Sequence, residues 1–549
     1  MARIIAPMRL EDRLVPISEV PAARTGWDRA LSVAVMLTLA VAIWLRFETA
    51  SALWLDEALT VDIAREPLSQ IAALLRHDGA PPLYYYLLHF WMELFGQGNL
   101  AVRSLAGVIG TVNLPLAWLT GYRVGSRSWV PASTSSDEQA VRAERGRTTA
   151  WAVTLLLAMS PFAVYYDTEA RMYALAILLG TLTVLSLTSL LARPSISRAL
   201  ALAAITSASL YTHYWALYSC AVLGVGLLYC AWRGPYREAC RYGVAALLLA
   251  AVSFVPWVPT LVFQARHTGT PWAAPAQLSA VIFTITQFAG GDSDFGRGLA
   301  VVFFFLAVLA LFGTSIGRWL VVLDLRTRPG VRALGVGVVA TLVLGILGGR
   351  IDGSTFADRY ASFLLFPALV ALGYGLTAIG DRRARLGLLA VALLFGFLAA
   401  VPNVYISRTG AGQVGAAIAA RAHSGDVVAY CPDQLGPAVS RVLQGRFDEI
   451  TFPRDARPEI VDWVNYLKVV GAASPRKFVK RVESLAGTGG SVFYVWAPGY
   501  NGYGSKCQTI LHDLISWPAH RYKVVLETLK ADTPFEIYEG STLDSFTPR

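Results

Sequence analysis

Acidic, basic and imidazole side chains occur in this sequence as a few short groups, each placed between long apolar runs. Carboxylates and imidazoles can accept a proton from a hydroxyl group, and guanidinium groups can hold an anion. If the groups meet in the folded chain, they form one polar site that combines both kinds of chemistry. The side chains concerned are Asp56 and Glu57, His77 and Asp78, Asp167, Glu169 and Arg171, His213, and Arg359.

Each group also has a purely structural interpretation. Asp56 and Glu57 could lie in a solvated loop, and Asp167, Glu169 and Arg171 could form a local ion pair. His213 could be a packing histidine. Arg359 could pair with Asp358 or contact a lipid phosphate. The arrangement of the elements that carry these groups distinguishes the alternatives.

The composition identifies most of those elements as membrane spans. The chain has 549 residues, of which 55% are hydrophobic and only 15% charged, and its mean hydropathy is +0.49. Soluble proteins carry about 25% charged residues. The deficit of charge excludes a disordered chain, a nucleic-acid-binding protein and an ordinary soluble enzyme, despite the net charge of +10. It indicates a polytopic membrane protein.

Eleven apolar runs are long enough, or nearly so, to cross a ~30 Å hydrocarbon core as helices of about 20 residues. They lie at 31–45, 104–122, 148–164, 173–191, 199–212, 215–232, 242–262, 298–317, 333–349, 360–380 and 386–402. The segment 1–28 has no apolar core, so we expect a cytoplasmic N-terminal segment and no cleavable signal peptide. Residues 29–402 then form a helical transmembrane domain.

A further apolar run, Leu83–Phe95, is too short to span the membrane and is rich in tyrosine. Such a run suits a helix at the lipid–water boundary, within an external loop 48–103. Arginine counts support this choice, because the five loops then assigned to the cytoplasm hold 17 Arg, against three in the short opposite loops 164–172 and 350–359. The positive-inside rule therefore places the N-terminus inside.

After Pro402 the composition becomes that of a soluble protein. We expect residues 403–549 to form a small extracytoplasmic α/β domain, because an odd number of spans puts it outside. Cys431 and Cys507 could form a disulfide there, or remain two unpaired thiols. The predicted strands are 426–430, 491–496, 522–527 and 535–538, and the predicted helices are 437–443, 475–485 and 508–515.

This topology places all the polar groups on the outer side of the membrane. Charged residues near the bilayer are costly and usually face a cavity or a partner. The sequence therefore predicts a polar site on the outer face, beneath the external domain.

The joint pattern of motifs resembles the GT-C glycosyltransferases of the dolichyl-phosphate-mannose protein mannosyltransferase and aminoarabinose transferase type. Asp-Glu stands in the first external loop, and Asp-Gly-Ala-Pro-Pro-Leu-Tyr-Tyr precedes the short apolar helix. Tyr-Asp-Thr-Glu-Ala-Arg-Met-Tyr follows the third span, and Arg359-Tyr360 lies late in the bundle. The resemblance covers about residues 28–402.

The resemblance implies transfer of a sugar, with inversion, from a polyprenyl-phosphate donor to an acceptor hydroxyl on the outer face. Asp56 matches the catalytic base, and Glu57 would orient the acceptor or Asp56. Arg171 and Arg359 would hold the lipid phosphate, since the guanidinium fork suits phosphate oxygens. The remaining donor-binding candidates are His213, Asp167, Glu169, His77 and Asp78.

The expected partners are the lipid-linked donor, a glycan, lipid or protein acceptor, and membrane lipid, with no nucleic acid. No cofactor is certain, although a divalent cation such as Mg²⁺ or Mn²⁺ would need only one or two carboxylates. Two other functions compete, a lipid-linked sugar transporter or flippase and a non-catalytic cell-envelope assembly protein. Transporters bind near the bilayer midplane, often within repeated halves, whereas these polar residues gather at one face and no repeat is visible.

Overall fold

The computed structural model describes residues 26–127, 136–269, 277–324, 329–352, 356–518, 520–528, 536 and 539–549. Most of the predicted segment 1–28 and of the predicted strand 535–538 lies outside the described residues. The membrane part is built from α1 (Gly26–Leu45), α2 (Leu55–Ala64), α3 (Leu68–Asp78), α4 (Leu83–Phe95), α5 (Asn99–Gly125), α6 (Ser136–Ala158), α7 (Pro161–Asp167), α8 (Tyr173–Ala192), α9 (Ile196–Thr212), α10 (Ala216–Arg233), α11 (Arg237–Phe254), α12 (Val258–His267), α13 (Ala280–Gln287), α14 (Asp294–Phe312), β1 (Gly313–Ile316), β2 (Leu320–Leu323), α15 (Pro329–Asp352), α16 (Ser362–Gly375) and α17 (Arg382–Tyr405).

The prediction of a helical polytopic membrane protein is confirmed. Within the described ranges, nine helices are long and apolar enough to cross a membrane, or ten if α6 and α7, bent by 55°, form one broken span. Two of the nine combine neighbouring elements: α11 with α12, and α16 with the short 3₁₀ turns on either side of it, at 358–378. The predicted run 199–212 is α9, which has 17 residues and is shorter than any of these spans. Every predicted apolar run thus corresponds to a helix.

One predicted boundary was wrong. The run 298–317 was expected to be helical throughout, but α14 ends at Phe312. Gly313 has an extended backbone, and the next residues form the antiparallel hairpin β1–β2. Residues 313–317 carry no charge and include Ile316, so hydropathy alone could not locate the end of the helix.

Three short helices, α2, α3 and α4, follow α1 before the chain enters the next long helix. Helix α4 buries Tyr84, Tyr85 and Leu88 and exposes Leu94 and Phe95. One face therefore packs on the protein while apolar side chains remain on the other, as expected for a helix at a membrane boundary. These three helices place the first external loop against the end of the bundle.

The C-terminal part contains a small mixed α/β sheet domain, as predicted. Its sheet has the strand order β4-β3-β5-β7-β6, with β4, β3 and β5 parallel and β7 antiparallel to β5. Cys431 and Cys507 are joined in a disulfide. The elements are α18 (Ala411–Ala419), β3 (Val427–Cys431), α19 (Gly436–Leu443), β4 (Asp448–Thr451), α20 (Tyr466–Ala472), α21 (Pro475–Ala486), β5 (Val492–Trp496), α22 (Lys506–Ile515), β6 (His520–Glu527) and β7 (Thr542–Pro548).

This domain docks on the C-terminal ends of α3 and α12 and on the connection between α4 and α5. The Trp463 amide donates to the carbonyl of His77 at 3.1 Å, and the Asn465 amide donates to the carbonyl of His267 at 2.7 Å. Arg441 on α19 donates to the carbonyl of Gln97. Main-chain hydrogen bonds therefore fix the domain directly above the predicted site.

Candidate active site

The carboxylate of Asp56 lies between two guanidinium groups. Its Oδ2 atom is 3.8 Å from an Nη atom of Arg171 and 3.6 Å from an Nη atom of Arg359. Asp56 is in the first turn of α2, where the helix dipole adds positive potential. Its side chain is 21% exposed, so the cluster is open to solvent and can meet an anion.

Other side chains hold the two arginines in place. Arg171 Nη1 donates to the hydroxyl of Thr60 at 2.5 Å and to the carbonyl of Asp56 at 3.3 Å, which ties it to α2. The guanidinium of Arg359 lies 5.4 Å from the ring centre of Trp54. Both cations are therefore pre-positioned beside Asp56, and no long side chain must be ordered when an anion binds.

Asp78 joins this cluster through a tyrosine. The Tyr85 hydroxyl donates to Asp78 Oδ2 at 2.9 Å and accepts from Arg171 Nη1 at 3.4 Å. Burial raises the pKa of Asp78, and the carboxylate of Asp56 raises it further. Asp78 is therefore linked to Arg171 through the Tyr85 hydroxyl.

His213 lies beside the cluster between the rings of Tyr173 and Tyr360. Its Nδ1 accepts from the Trp215 amide at 3.2 Å, which leaves the ring proton on Nε2. Burial, together with the nearby arginines, lowers the pKa of His213 to about 3. The imidazole is therefore neutral at physiological pH and can donate a hydrogen bond but cannot supply charge.

Glu169 is fully buried, and neither of its carboxylate oxygens has a hydrogen-bond partner among the described residues. Burial raises its pKa to about 7, while Arg408, Arg359 and Arg171 act in the opposite direction. Buried polar groups without partners are rare in folded proteins. This carboxyl group is thus available to a polar group of a ligand.

Glu57 has a different environment from its neighbour Asp56. Its two oxygens accept from Nε and Nη2 of Arg103 at 2.7 and 2.5 Å, and Oε1 also accepts from the Ala170 amide at 2.8 Å. Both charged side chains are buried. Glu57 therefore connects the first external loop to the segment that carries Glu169, and its lone pairs are already engaged.

We expect Glu57→Gln to lower the free energy of unfolding by about 3 kcal/mol, since breaking a buried ion pair is strongly destabilising. Thermal unfolding in detergent measures this effect. Glu66→Gln, just beyond the other end of α2, is the matched control and should change stability by less than about 0.5 kcal/mol. A Glu57→Gln protein as stable as the wild type would contradict the anchoring role.

Two of the predicted residues contact partners outside this cluster. Asp167 Oδ2 is 2.8 Å from Nε of the buried Arg46, which also donates to three helix carbonyls. His77 Nδ1 is 3.0 Å from Asp462 Oδ1 of the C-terminal domain. The structure therefore brings Asp56, Asp78, Glu169, Arg171, His213 and Arg359 together, and it pairs Asp167 and His77 elsewhere.

Several residues of the site were not anticipated. Arg408, just after α17, is buried and donates to Thr168 Oγ1 at 2.7 Å, with its guanidinium 4.0 Å from the ring centre of Tyr165. Arg103 holds Glu57, and Glu536 and Glu539 reach the site from the C-terminal domain. None of these four charged residues belongs to a local motif, and only their burial distinguishes them from surface charges.

The acidic side chains of the site face cations of the protein itself. Among the residues that the structure describes, no group of three or more His, Cys, Asp or Glu side chains could hold a metal ion. Asp167 is taken by Arg46, and Asp56 and Glu169 are surrounded by arginines. The donor set is therefore already neutralised by fixed cations, and we derive no step through a metal.

The membrane bundle, the external helices and the C-terminal domain pack together as one fold. Two solved structures share it over nearly their whole length. They are ArnT from Cupriavidus metallidurans bound to undecaprenyl phosphate (TM-score 0.58, 12% identity, 95% of this chain and 98% of that chain) and the same protein in the apo state (TM-score 0.56, 12% identity, 94% and 98%). No family model and no curated protein matches the sequence. At this identity the likeness shows the ArnT-like fold.

Proposed function

We propose that this protein transfers a sugar from a polyprenyl-phosphate donor to an acceptor hydroxyl on the outer face of the cytoplasmic membrane. One observation carries the proposal, the Asp56 carboxylate held between Arg171 and Arg359 at the amino end of α2. A transferase of this kind needs a proton acceptor and an anion-stabilising group within one site. ArnT, which has this fold, is described with undecaprenyl phosphate bound.

In the proposed reaction, Asp56 takes the proton of the acceptor hydroxyl as the hydroxyl oxygen bonds to the anomeric carbon. The bond between that carbon and the phosphate oxygen breaks, and the configuration inverts. The phosphate leaves with the bonding electrons, and Arg171 and Arg359 stabilise its growing negative charge. Glu169, with both oxygens free of hydrogen bonds to the described protein, is our choice for a contact with the sugar hydroxyls.

The distribution of arginine and the disulfide both support the proposed orientation. The Arg-rich loops favour a cytoplasmic N-terminus, which places the C-terminal domain outside. The bond between Cys431 and Cys507 supports this assignment, because disulfides persist in oxidising compartments. The external domain would then cover the site and shape the space for the acceptor.

An apolar cavity supplies a place for the lipid tail. It has a volume of about 640 Å³ and lies between α14, α15 and α16, lined by residues such as Ala307, Gly335, Val339, Leu365 and Ala368. Leu365 follows Arg359 by less than two helical turns. A prenyl chain attached to a phosphate at Arg359 could therefore enter this cavity, since apolar surface favours it by about 25 cal/mol per Å².

We expect Gly335→Phe to weaken binding of long-chain polyprenyl phosphate by at least about tenfold. A Cβ atom there meets Leu311, another residue of the cavity wall, so the ring would occupy space needed by the tail. Gly337→Phe on the same helix is the matched control, because a Cβ at Gly337 meets no atom within 4 Å and the residue does not line the cavity.

Binding isotherms with carriers of long and short chain length measure this effect. Short-chain carriers should bind both variants equally. Equal binding of the long-chain carrier would place the tail elsewhere.

The donor class is tested with purified protein in proteoliposomes. We expect radiolabelled sugar to pass to an acceptor from a polyprenyl monophosphate, and not from a nucleotide sugar that lacks the lipid. Transfer from the nucleotide sugar alone would overturn the proposal.

A further inference from the structure

Two glutamates of the C-terminal domain reach the site. Glu539 and Glu536 precede β7, and their side chains contact two different helices of the membrane part, α2 and α7. Glu539 contacts the start of α2, the helix that carries Asp56. Glu536 accepts a hydrogen bond from the hydroxyl of Tyr165, on the helix that leads to Glu169.

The contact of Glu539 is made to the main chain of α2. Its Oε1 accepts from the amide of Leu55, the first residue of the helix, at 3.0 Å. Its own carbonyl accepts from the Gly410 amide at 3.1 Å, which fixes the main chain of the glutamate. A Cβ at Gly410 would lie 2.6 Å from the Thr528 hydroxyl, so this approach requires glycine.

This contact provides a hydrogen-bond acceptor for an amide at the start of α2. The first amides of any helix lack partners within it, and a side-chain oxygen usually caps one of them. Trp54, at the N-cap position, makes no side-chain cap hydrogen bond. The Trp54 amide donates to Glu57 of the same helix at 3.4 Å, whereas the next amide, that of Leu55, is capped by Glu539 from the C-terminal domain. This second cap acts on the residue immediately before Asp56.

The charge state of Glu539 agrees with this role. Burial, together with the carboxylates of Asp56 and Glu536, raises its pKa to about 8, while the hydrogen bonds with Thr409 and the Leu55 amide act in the opposite direction. A carboxyl group that is largely protonated near neutral pH can accept a hydrogen bond without adding negative charge beside Asp56. Glutamine has the same shape and the same acceptor oxygen, so it should replace this glutamate.

Glu536 contacts the part of the site that contains Arg408 and Tyr165. Its amide donates to the carbonyl of Arg408 at 2.8 Å, and the ring of Tyr165 lies against the guanidinium of that arginine. Glu536 and Glu539 thus contact two parts of the chain that carry site residues, the start of α2 and the region of Tyr165 and Arg408. A displacement of these two glutamates would move the two parts relative to each other.

We propose that Glu539 is a positioning residue, which caps α2 from the C-terminal domain and so holds the Asp56 carboxylate between Arg171 and Arg359. The proposal rests on the proposed function, because it concerns the same site. It follows that the site is complete only when the C-terminal domain is docked.

We expect Glu539→Ala to lower kcat about 10- to 100-fold, since small misplacements of catalytic groups have effects of this size. Donor KM should change less than about threefold, and Glu539→Gln should restore most of the rate. Glu527→Ala, an exposed glutamate of the same domain, is the control and should leave both constants unchanged.

A second test removes the donor of the hydrogen bond. Leu55→Pro lacks the amide proton yet keeps the helix, because proline is favoured at the first helical position and the extended Trp54 tolerates it. Leu55→Ala controls for the lost side chain. If the hydrogen bond carries the effect, kcat of the double variant with Glu539→Ala should fall no further than that of either single variant.

Hydrogen exchange of the α2 amides separates this proposal from the proposed function, since it needs no activity. Faster exchange at the start of α2 in Glu539→Ala supports the cap even if no sugar transfer is found. If the α2 amides of Glu539→Ala exchange as in the wild type and its kcat is also unchanged, Glu539 has no positioning role. The same conclusion follows if Glu539→Gln loses as much activity as Glu539→Ala.

Discussion

Replacing Asp56 by asparagine is expected to lower the rate of sugar transfer by about 10²–10⁴-fold, the usual effect of removing a positioned general base. Asparagine keeps the shape of the side chain and cannot take the proton. The carboxylate makes only long ion pairs of 3.6 and 3.8 Å, so its loss removes little that holds the fold together. Donor binding and thermal stability should therefore remain close to those of the wild type.

Asp62→Asn provides the matched control for this experiment. Asp62 lies on the same helix and pairs with Arg65, outside the cluster. The substitution is the same carboxylate-to-amide replacement on the same helix, so the transfer rate of Asp62→Asn should stay within about threefold of the wild-type rate. Near-normal turnover by Asp56→Asn would show that another group takes the proton.

Arg359→Ala is expected to reduce turnover by about 10²–10³-fold, because a cation placed where charge develops in the transition state stabilises it directly. Arg359→Lys should recover only part of this loss, since a point charge replaces a planar fork with two parallel donors. Arg171→Ala should act in the same direction. Steady-state kinetics with a polyprenyl-phosphate sugar measure all three variants.

The control for the arginine series is Arg297→Ala at the start of α14. Arg297 is 66% exposed and contacts only two exposed aspartates, at 3.8 and 4.0 Å. Loss of this cation should leave turnover unchanged. Full activity of Arg359→Ala would remove Arg359 from the site and leave the phosphate without its proposed partner.

The sequence predicts the membrane helices well because a span needs about 20 apolar residues, a signal carried by each segment alone. The same reasoning extended α14 into the β1–β2 hairpin, since Gly313–Ile316 carries no charge that would mark the end of the apolar run. In the C-terminal domain, β3, β5 and β6 were predicted from their apolar runs. Strands β4 and β7 were missed because Asp448–Thr451 and Thr542–Pro548 are largely polar, and their pairing partners define them as strands.

For the site, sequence motifs indicate which loops carry chemistry but not which side chain of a pair does so. Asp56 and Glu57 are adjacent, yet one is partly exposed beside two arginines and the other is buried against Arg103. That difference depends on the contact of Glu57 with Arg103, a residue 46 positions further along the chain. Glu539 reaches Leu55 across 484 residues, so only the fold reveals it.

The central claim is that the cluster around Asp56 cleaves the bond between sugar and lipid phosphate. The most direct measurement is mass spectrometry of proteoliposomes that contain one polyprenyl-phosphate sugar, an acceptor, and either wild-type or Asp56→Asn protein. The account predicts free polyprenyl phosphate in a one-to-one ratio with glycosylated acceptor for the wild type, and almost none for Asp56→Asn. If both proteins instead moved the intact donor between the leaflets to the same extent, without cleaving it, the proposed sugar transfer would be wrong.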